Sequence, residues 1–278
     1  MKERLGLFLL VCFVGAVTVF SAWLHYNPQA VGVFEYDEFA DEYEDARPGP
    51  RGWQARTTVP AQRLRGRDLA LAPGADVGTR KAAFFDALRP IIREENARIA
   101  ELRGRLIAAH GAEETPAWVA DIARSYRVKW TGEEWDTLLA RVDIVPLTLV
   151  LAQAANESSW GRSRFAQQGN NLFGMWCFRP GCGIIPARRE VGKTHEVAAY
   201  NTVNASVRAY LHTINTVNAY RQLRALRAKM RAAGKRLDGP SLAAGLIRYS
   251  ERGQDYVDEV RAMIRVNRKL MLGERSQG

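Results

Sequence analysis

The residues with chemistry in them cluster between Ala152 and Trp176, in the string AQAANESSWGRSRFAQQGNNLFGMW. Its central group is Glu157. An apolar run (Leu147, Leu149, Val150, Leu151, Ala154) precedes it, and the spacing predicts a helix that delivers the carboxyl at its end, beside Trp160 and Phe165. A carboxyl held against aromatic rings is poorly solvated when charged, so its pKa should rise and keep it protonated near neutral pH. A general acid for a glycosidic oxygen needs that state. On the residues alone a second reading stays open: a helix-end carboxylate bonded locally. Gly161, Gly169 and Gly174 mark turns, and Asn170 and Asn171 offer amides for structural bonds or for sugar contacts.

The string ANESSWGRSRFAQQGNNLFG resembles the signature of bacterial glucosaminidases of glycoside hydrolase family 73. That pattern runs A-x-x-E-S-x-W-G-x-S-x-x-A-x-x-x-N-N-L-F-G, and each fixed position is matched. The continuation Met175-Trp-Cys-Phe-Arg-Pro-Gly-Cys-Gly183 is similar to that of the Bax-type proteins of Gram-negative bacteria. The resemblance covers about 80–270. It implies a lysozyme-like fold, α+β but predominantly helical, with a small β-lobe and a groove between the lobes. It implies cleavage of the β-1,4 bond after N-acetylglucosamine in peptidoglycan, with Glu157 as the catalytic acid. Family members often carry a second acid on the β-hairpin in a T-x-E setting. Thr194-His195-Glu196 fits it, with Glu190 as the rival. The family's late groove tyrosine maps to Tyr256, in the string that begins at Tyr249. Glu196 would activate water or stabilise the charge on the sugar; its alternative is a solvated hairpin charge. Because E-S-x-x-G also resembles muramidases and lytic transglycosylases, those activities compete, as does a non-catalytic peptidoglycan-binding protein.

Trp160, Phe173, Trp176 and Tyr200 are candidates for stacking on sugar rings, against the alternative of core packing. Cys177 and Cys182 flank Phe-Arg-Pro-Gly, whose Pro-Gly pair predicts a turn tight enough for a disulfide in an oxidising compartment; the alternative is two free thiols. No metal is expected, because His195 would be a third ligand and no fourth is evident. No cofactor is expected either. Ser158 and Ser163 lack an evident His/Asp partner set, and no G-x-x-x-x-G-K-[ST] phosphate loop is present.

The elements that must position these groups read as helices. Phe84, Leu88, Ile91, Ile92, Ile99, Leu102 and Leu106 mark one helix from about Arg80 to Gly111. Shorter helices follow at 118–128 and 133–140, then one opened by Pro146. Four more are expected near 206–214, 217–232, 240–249 and 254–270, with a small strand pair between about Ile184 and Ala199. The basic residues Arg221, Arg224, Arg227, Lys229, Arg231, Lys235 and Arg236 are expected largely on helix surfaces.

The chain has 278 residues, 47% hydrophobic and 25% charged, with a net charge of +10. That balance excludes collagen and wholesale disorder. Seven acids lie between Glu35 and Asp45 without a base, and setting them aside leaves the remainder at +17. Leu5–Leu24 is uncharged and follows Lys2 and Arg4; as a helix it spans roughly 30 Å, a bilayer core. Basic flanks stay in the cytoplasm, so the rest is expected to be exported. The segment is either a transmembrane anchor or a signal helix cut near Ser21 or Ala22. The chain therefore divides into a membrane or signal segment (1–26), an acidic then Pro/Gly-rich linker (27–79) and a catalytic domain (80–278). Its expected place is the inner membrane facing the periplasm, or the periplasm if the segment is cleaved. The expected partners are peptidoglycan glycan strands and, through the amino end, the cell membrane. Export argues against nucleic acid.

Overall fold

The computed structural model describes residues 63–69, 74–187, 189 and 192–274. The apolar segment, the acidic run and Glu190 lie outside the described residues. Among the described residues no helix is long and apolar enough to cross a membrane.

The structure is predominantly helical with one small sheet, an α+β arrangement. Helix α1 (Val77–His110) starts where Asp76 accepts a hydrogen bond from the Thr79 amide at 3.0 Å. It ends at Gly111, and its predicted stripe from Phe84 to Leu106 is buried. Helices α2 (Trp118–Ser125) and α3 (Trp135–Arg141) are short. They lead into α4 (Leu147–Glu157), which is buried continuously from Thr148 to Ala155. A helix apolar on all sides must run through the middle of the fold. Helix α4 does so, packed against α1, α8 (Gly239–Ala243) and α9 (Gln254–Leu272). Helices α5 (Arg164–Gly169), α6 (Val203–Thr216) and α7 (Arg221–Ala232) complete the α-helices of the described residues. Arg89 of α1 donates to the carbonyls of Leu270 and Met271, closing the open end of α9 against α1.

The sheet differs from the expected strand pair. Among the described residues there are three strands: β1 (Trp176–Cys177), β2 (Gly183–Ile184) and β3 (Glu196–Ala198), antiparallel in the order β1-β3-β2. Trp176 pairs with Val197 and Cys177 with Glu196 on one side, Gly183 with Ala198 on the other. Two-residue strands carry too little alternation to be read from sequence. Gly183 is required by close approach, since a Cβ there would sit 2.0 Å from the Val197 carbonyl oxygen.

The body of the fold also begins before the expected boundary at 80. Leu64 accepts from the Val203 amide and donates to Asn204. The 3-10 turn Gly66–Leu69 lies against α5, with the Gly66 amide bonded to Asn170 at 2.7 Å. Long-range hydrogen bonds, invisible in composition, attach this end of the Pro/Gly-rich stretch to the domain.

The basic residues near the carboxyl end are not all on the surface. Arg221, Lys229, Arg231, Lys235 and Arg236 are exposed, but Arg224 and Arg227 are buried. Arg224 donates to the Ile214 and Val217 carbonyls at the end of α6. Arg227 bonds the Ala140, Asp143 and Ile144 carbonyls and Asn215. A guanidinium can gather several orphan helix-end carbonyls at once, which a charge count cannot show.

Candidate active site

Glu157 is the last residue of α4, half-buried at the end where the helix dipole is negative, and no basic residue lies in that turn. The turn after it is built with strain. Ser159, Trp160 and Gly161 have φ of 51°, 61° and 76°, three successive left-handed residues. Two of them carry a Cβ, at a cost of about 1–2 kcal/mol each. Hydrogen bonds hold the turn. The Trp160 amide donates to the Ala155 carbonyl at 2.9 Å and the Ser159 amide to that of Asn156, which closes the helix. The buried Ser158 hydroxyl donates to the Ala154 carbonyl at 2.6 Å and accepts from the Gly161 amide at 2.8 Å. A side chain at Gly161 would be strained, because its φ is positive and its Cβ would lie 3.0 Å from that of Leu69. The signature residues after Glu157 thus build the turn that fixes the carboxyl.

The aromatic groups around Glu157 are tyrosines. The Tyr256 hydroxyl donates to Glu157 Oε1 at 2.7 Å. Tyr256 stacks on Tyr249 with centroids 4.9 Å apart, and the Tyr249 hydroxyl bonds the Phe173 carbonyl. Phe173 in turn stacks on Tyr210 at 3.9 Å. Burial raises the Glu157 pKa to about 7, helped by the nearby charge of Glu259; bonds from Tyr256 and Asn156 and the charge of Arg252 work the other way. Arg252 and Glu259 are themselves paired at 2.6 Å. The carboxyl is therefore substantially protonated at neutral pH, the state expected from the sequence.

The structure brings Glu157 and Tyr256 together and gives several other predicted residues different work. Trp160 turns to α1, with the edges of Phe84 and Phe85 at 5.7 and 5.3 Å and the Lys81 ammonium 5.1 Å from its ring centre. It anchors the strained turn. Phe173 is buried beneath the tyrosines. Asn170 is a left-handed cap on α5; its amide accepts from Gly66 and donates to the Tyr200 carbonyl. Asn171 is buried, donates to the Met175 and Ala198 carbonyls and accepts from the Phe173 and Met175 amides. These amides stitch loop to sheet, where a sugar contact was the other expectation. Trp176 and Tyr200 stay half-buried, and Trp176 stacks on His195 at 3.9 Å.

Cys177 and Cys182 form a disulfide with Cα atoms 6.2 Å apart. Beside it, Glu196 is buried on β3, its two oxygens accepting from the Gly181 amide at 3.0 Å and the Gly183 amide at 2.8 Å. The two sulfurs and this carboxylate lie within 4.8 Å of one another. The sulfurs are bonded to each other and the carboxylate is occupied by the loop, so this set does not have the free thiolates of a metal site. Glu196 clasps the disulfide loop. Glu196→Gln turns one acceptor into a donor facing an amide, and should destabilise the protein by about 1–3 kcal/mol in denaturant titration. Turnover of the folded variant is the second readout. A loss of tenfold or more assigns chemistry to Glu196; unchanged turnover leaves that step to Glu190, solvent or the substrate.

Sequence reasoning missed Gln153, Tyr210 and the Arg252–Glu259 pair. Gln153 sits one helical turn before Glu157; a polar residue inside an apolar helix was the available signal.

A family model described as mannosyl-glycoprotein endo-beta-N-acetylglucosaminidase matches residues 132–269. The chain is also 38% identical to Protein bax of Escherichia coli (strain K12) over 200 residues, 69% of this chain and 71% of that one. The chain belongs to the glucosaminidase family. Its likeness is to the Bax type, and no solved structure matches it. As a glucosaminidase-family protein it is a glycosidase with a glycan as its substrate class. The family match spans Glu157, the disulfide loop, β3 and Tyr256.

Proposed function

We propose that the chain is an endo-β-N-acetylglucosaminidase that cleaves the β-1,4 bond after N-acetylglucosamine in peptidoglycan, in a groove of the lysozyme-like kind. The observation that supports this most is Glu157, a carboxyl raised to about 7 and held by Tyr256 at the end of a rigid buried helix. Glu157 protonates the leaving oxygen as positive charge develops on the sugar. Glu196 is the second carboxylate of this reading, activating water or stabilising that charge. A carboxylate separation of roughly 5 Å gives a covalent intermediate and roughly 6.5–9.5 Å an inverting water, while the substrate's acetamido group supplies a third route. Trp176 and Tyr200 stack on sugar rings. No cofactor enters this scheme. The amino-terminal segment anchors the chain in the inner membrane facing the periplasm, or is cleaved to release it there.

One observation favours a second reading. With both oxygens of Glu196 on the loop amides, Glu157 is left to act first as acid and then as base. A single group of that kind suits attack by a hydroxyl of the sugar itself, as in a lytic transglycosylase. Mass spectrometry of digested peptidoglycan separates the two. We expect reducing-end N-acetylglucosamine; anhydro-muramyl ends would establish transglycosylation, and reducing-end muramic acid a muramidase.

A further inference from the structure

Glu157 ends a hydrogen-bonded line of four side chains. The Tyr210 hydroxyl of α6 donates to Gln153 Oε1 in a short contact. Gln153 Nε2 donates to the Tyr256 hydroxyl at 3.0 Å. Tyr256 donates to Glu157 Oε1 at 2.7 Å. Gln153, Tyr210 and Tyr256 are buried, with Gln153 at 0% exposure.

We propose that Gln153, held by Tyr210, is a positioning residue that sets the direction of the Tyr256 hydroxyl proton and so the oxygen on which Glu157 carries its acid proton. The inference rests on Glu157 being the acid. A phenol has one proton to give, and an amide NH₂ can only donate. Since Gln153 Nε2 faces Tyr256, the phenol oxygen accepts there and its own proton goes outward to Glu157 Oε1. The acid proton of Glu157 is then left on Oε2, the oxygen not facing Tyr256. With the amide turned over, Gln153 Oε1 would draw the Tyr256 proton inward, and protonated Glu157 would donate to Tyr256 and not to the sugar. Once Glu157 has given up its proton, the carboxylate needs a donor, and the line as built supplies one without rearrangement. Tyr210 favours this orientation, because with the amide turned over its buried hydroxyl would accept from Nε2 and its own proton would lose the Gln153 Oε1 acceptor.

The test is the dependence of turnover on pH, measured on purified sacculi with folded variants. The groups facing Glu157 are Asn156 on α4, Tyr256 and Glu259 on α9, and Arg252, Tyr249 and Tyr210; all but Tyr210 and Tyr256 stay unchanged throughout. Gln153→Met should lower kcat about tenfold with little change in KM. It should also move the alkaline limb upward, because the charged acid loses its ordered donor. Tyr210→Phe keeps the ring packing and should move both in the same direction by less. The Gln153→Met/Tyr256→Phe pair should behave as Tyr256→Phe alone. An alkaline limb at its wild-type position in Gln153→Met, or losses that multiply in the pair, overturns the proposal. If Gln153→Met does not fold, Tyr210→Phe decides on the same criterion. Glu157→Gln is run beside them. An active Glu157→Gln sinks the reading of Glu157 as the acid; an inactive one with unmoved profiles in the Gln153 and Tyr210 variants sinks only the positioning role.

Discussion

Glu157→Gln should abolish release of soluble fragments from peptidoglycan while leaving binding to sacculi intact. Removing a general acid typically costs about 10²–10⁴-fold, and Glu157 stands at the end of a buried helix with a proton to give near pH 7. The wild-type rate should therefore fall as pH rises through about 7, the Glu157 value. The same shift has a consequence for stability, with a definite sign. The folded-state pKa is above the ordinary carboxylate value because burial disfavours the charged form. The folded state thus holds its proton more tightly than the unfolded chain, and that advantage is lost as pH rises through about 7. Glu157→Gln cannot ionise, so its melting temperature should gain on the wild type between pH 5 and pH 8. A variant that loses activity by unfolding would show the opposite. If wild type binds sacculi but releases nothing and the variant is indistinguishable from it, the protein is a binding module and the enzyme reading is lost.

The largest loss of stability is expected at a residue far from the chemistry. Arg227→Met should destabilise the fold by about 3–5 kcal/mol, the cost of breaking a buried charged group away from its partners. Arg227 is 1% exposed. Four acceptors from three segments lose a donor together: the carbonyls of Ala140, Asp143 and Ile144, and Asn215 Oδ1. Burial lowers the Arg227 pKa to about 10, so it remains charged at neutral pH. Its neighbour Asp143 shows the other side of the balance. Burial opposes the charge of Asp143, but the bond from Arg231 and the charges of Arg227 and Arg103 outweigh it and hold the carboxyl below its ordinary value. Stability from that pairing is present above the ordinary aspartate range and is lost as pH falls through the lowered value. The gap between wild type and Arg227→Met should therefore be widest near neutral pH and narrow in acid. Urea midpoints at pH 7 and at a pH well below the ordinary aspartate value of about 4 measure it; equal midpoints at pH 7 would mean the buried guanidinium carries no load.

The helices were legible because their causes are local. The stripe from Phe84 to Leu106, Pro146 at the head of α4 and Gly111 past the end of α1 each act within a few residues. Glu157 was legible for the same reason: an apolar run ends on it, and the motif after it forms one continuous turn. The sheet was only half legible, since strands of two or three residues owe their existence to partners across β3.

Residue type and spacing determined on their own that this chain carries a helix-borne carboxyl in a glucosaminidase signature, with a Cys-x4-Cys turn close behind. What those neighbours do was decided by tertiary structure. Asn170, Asn171 and Glu196 are chemically fit to hold a sugar or water, yet their polar atoms bond backbone groups of the loops and sheet around them. Gln153 and Tyr210 are 57 residues apart and became one line to Glu157 only when α4 met α6. A buried polar atom must find a partner, and which partner it finds depends on distances that exist only after the chain has folded.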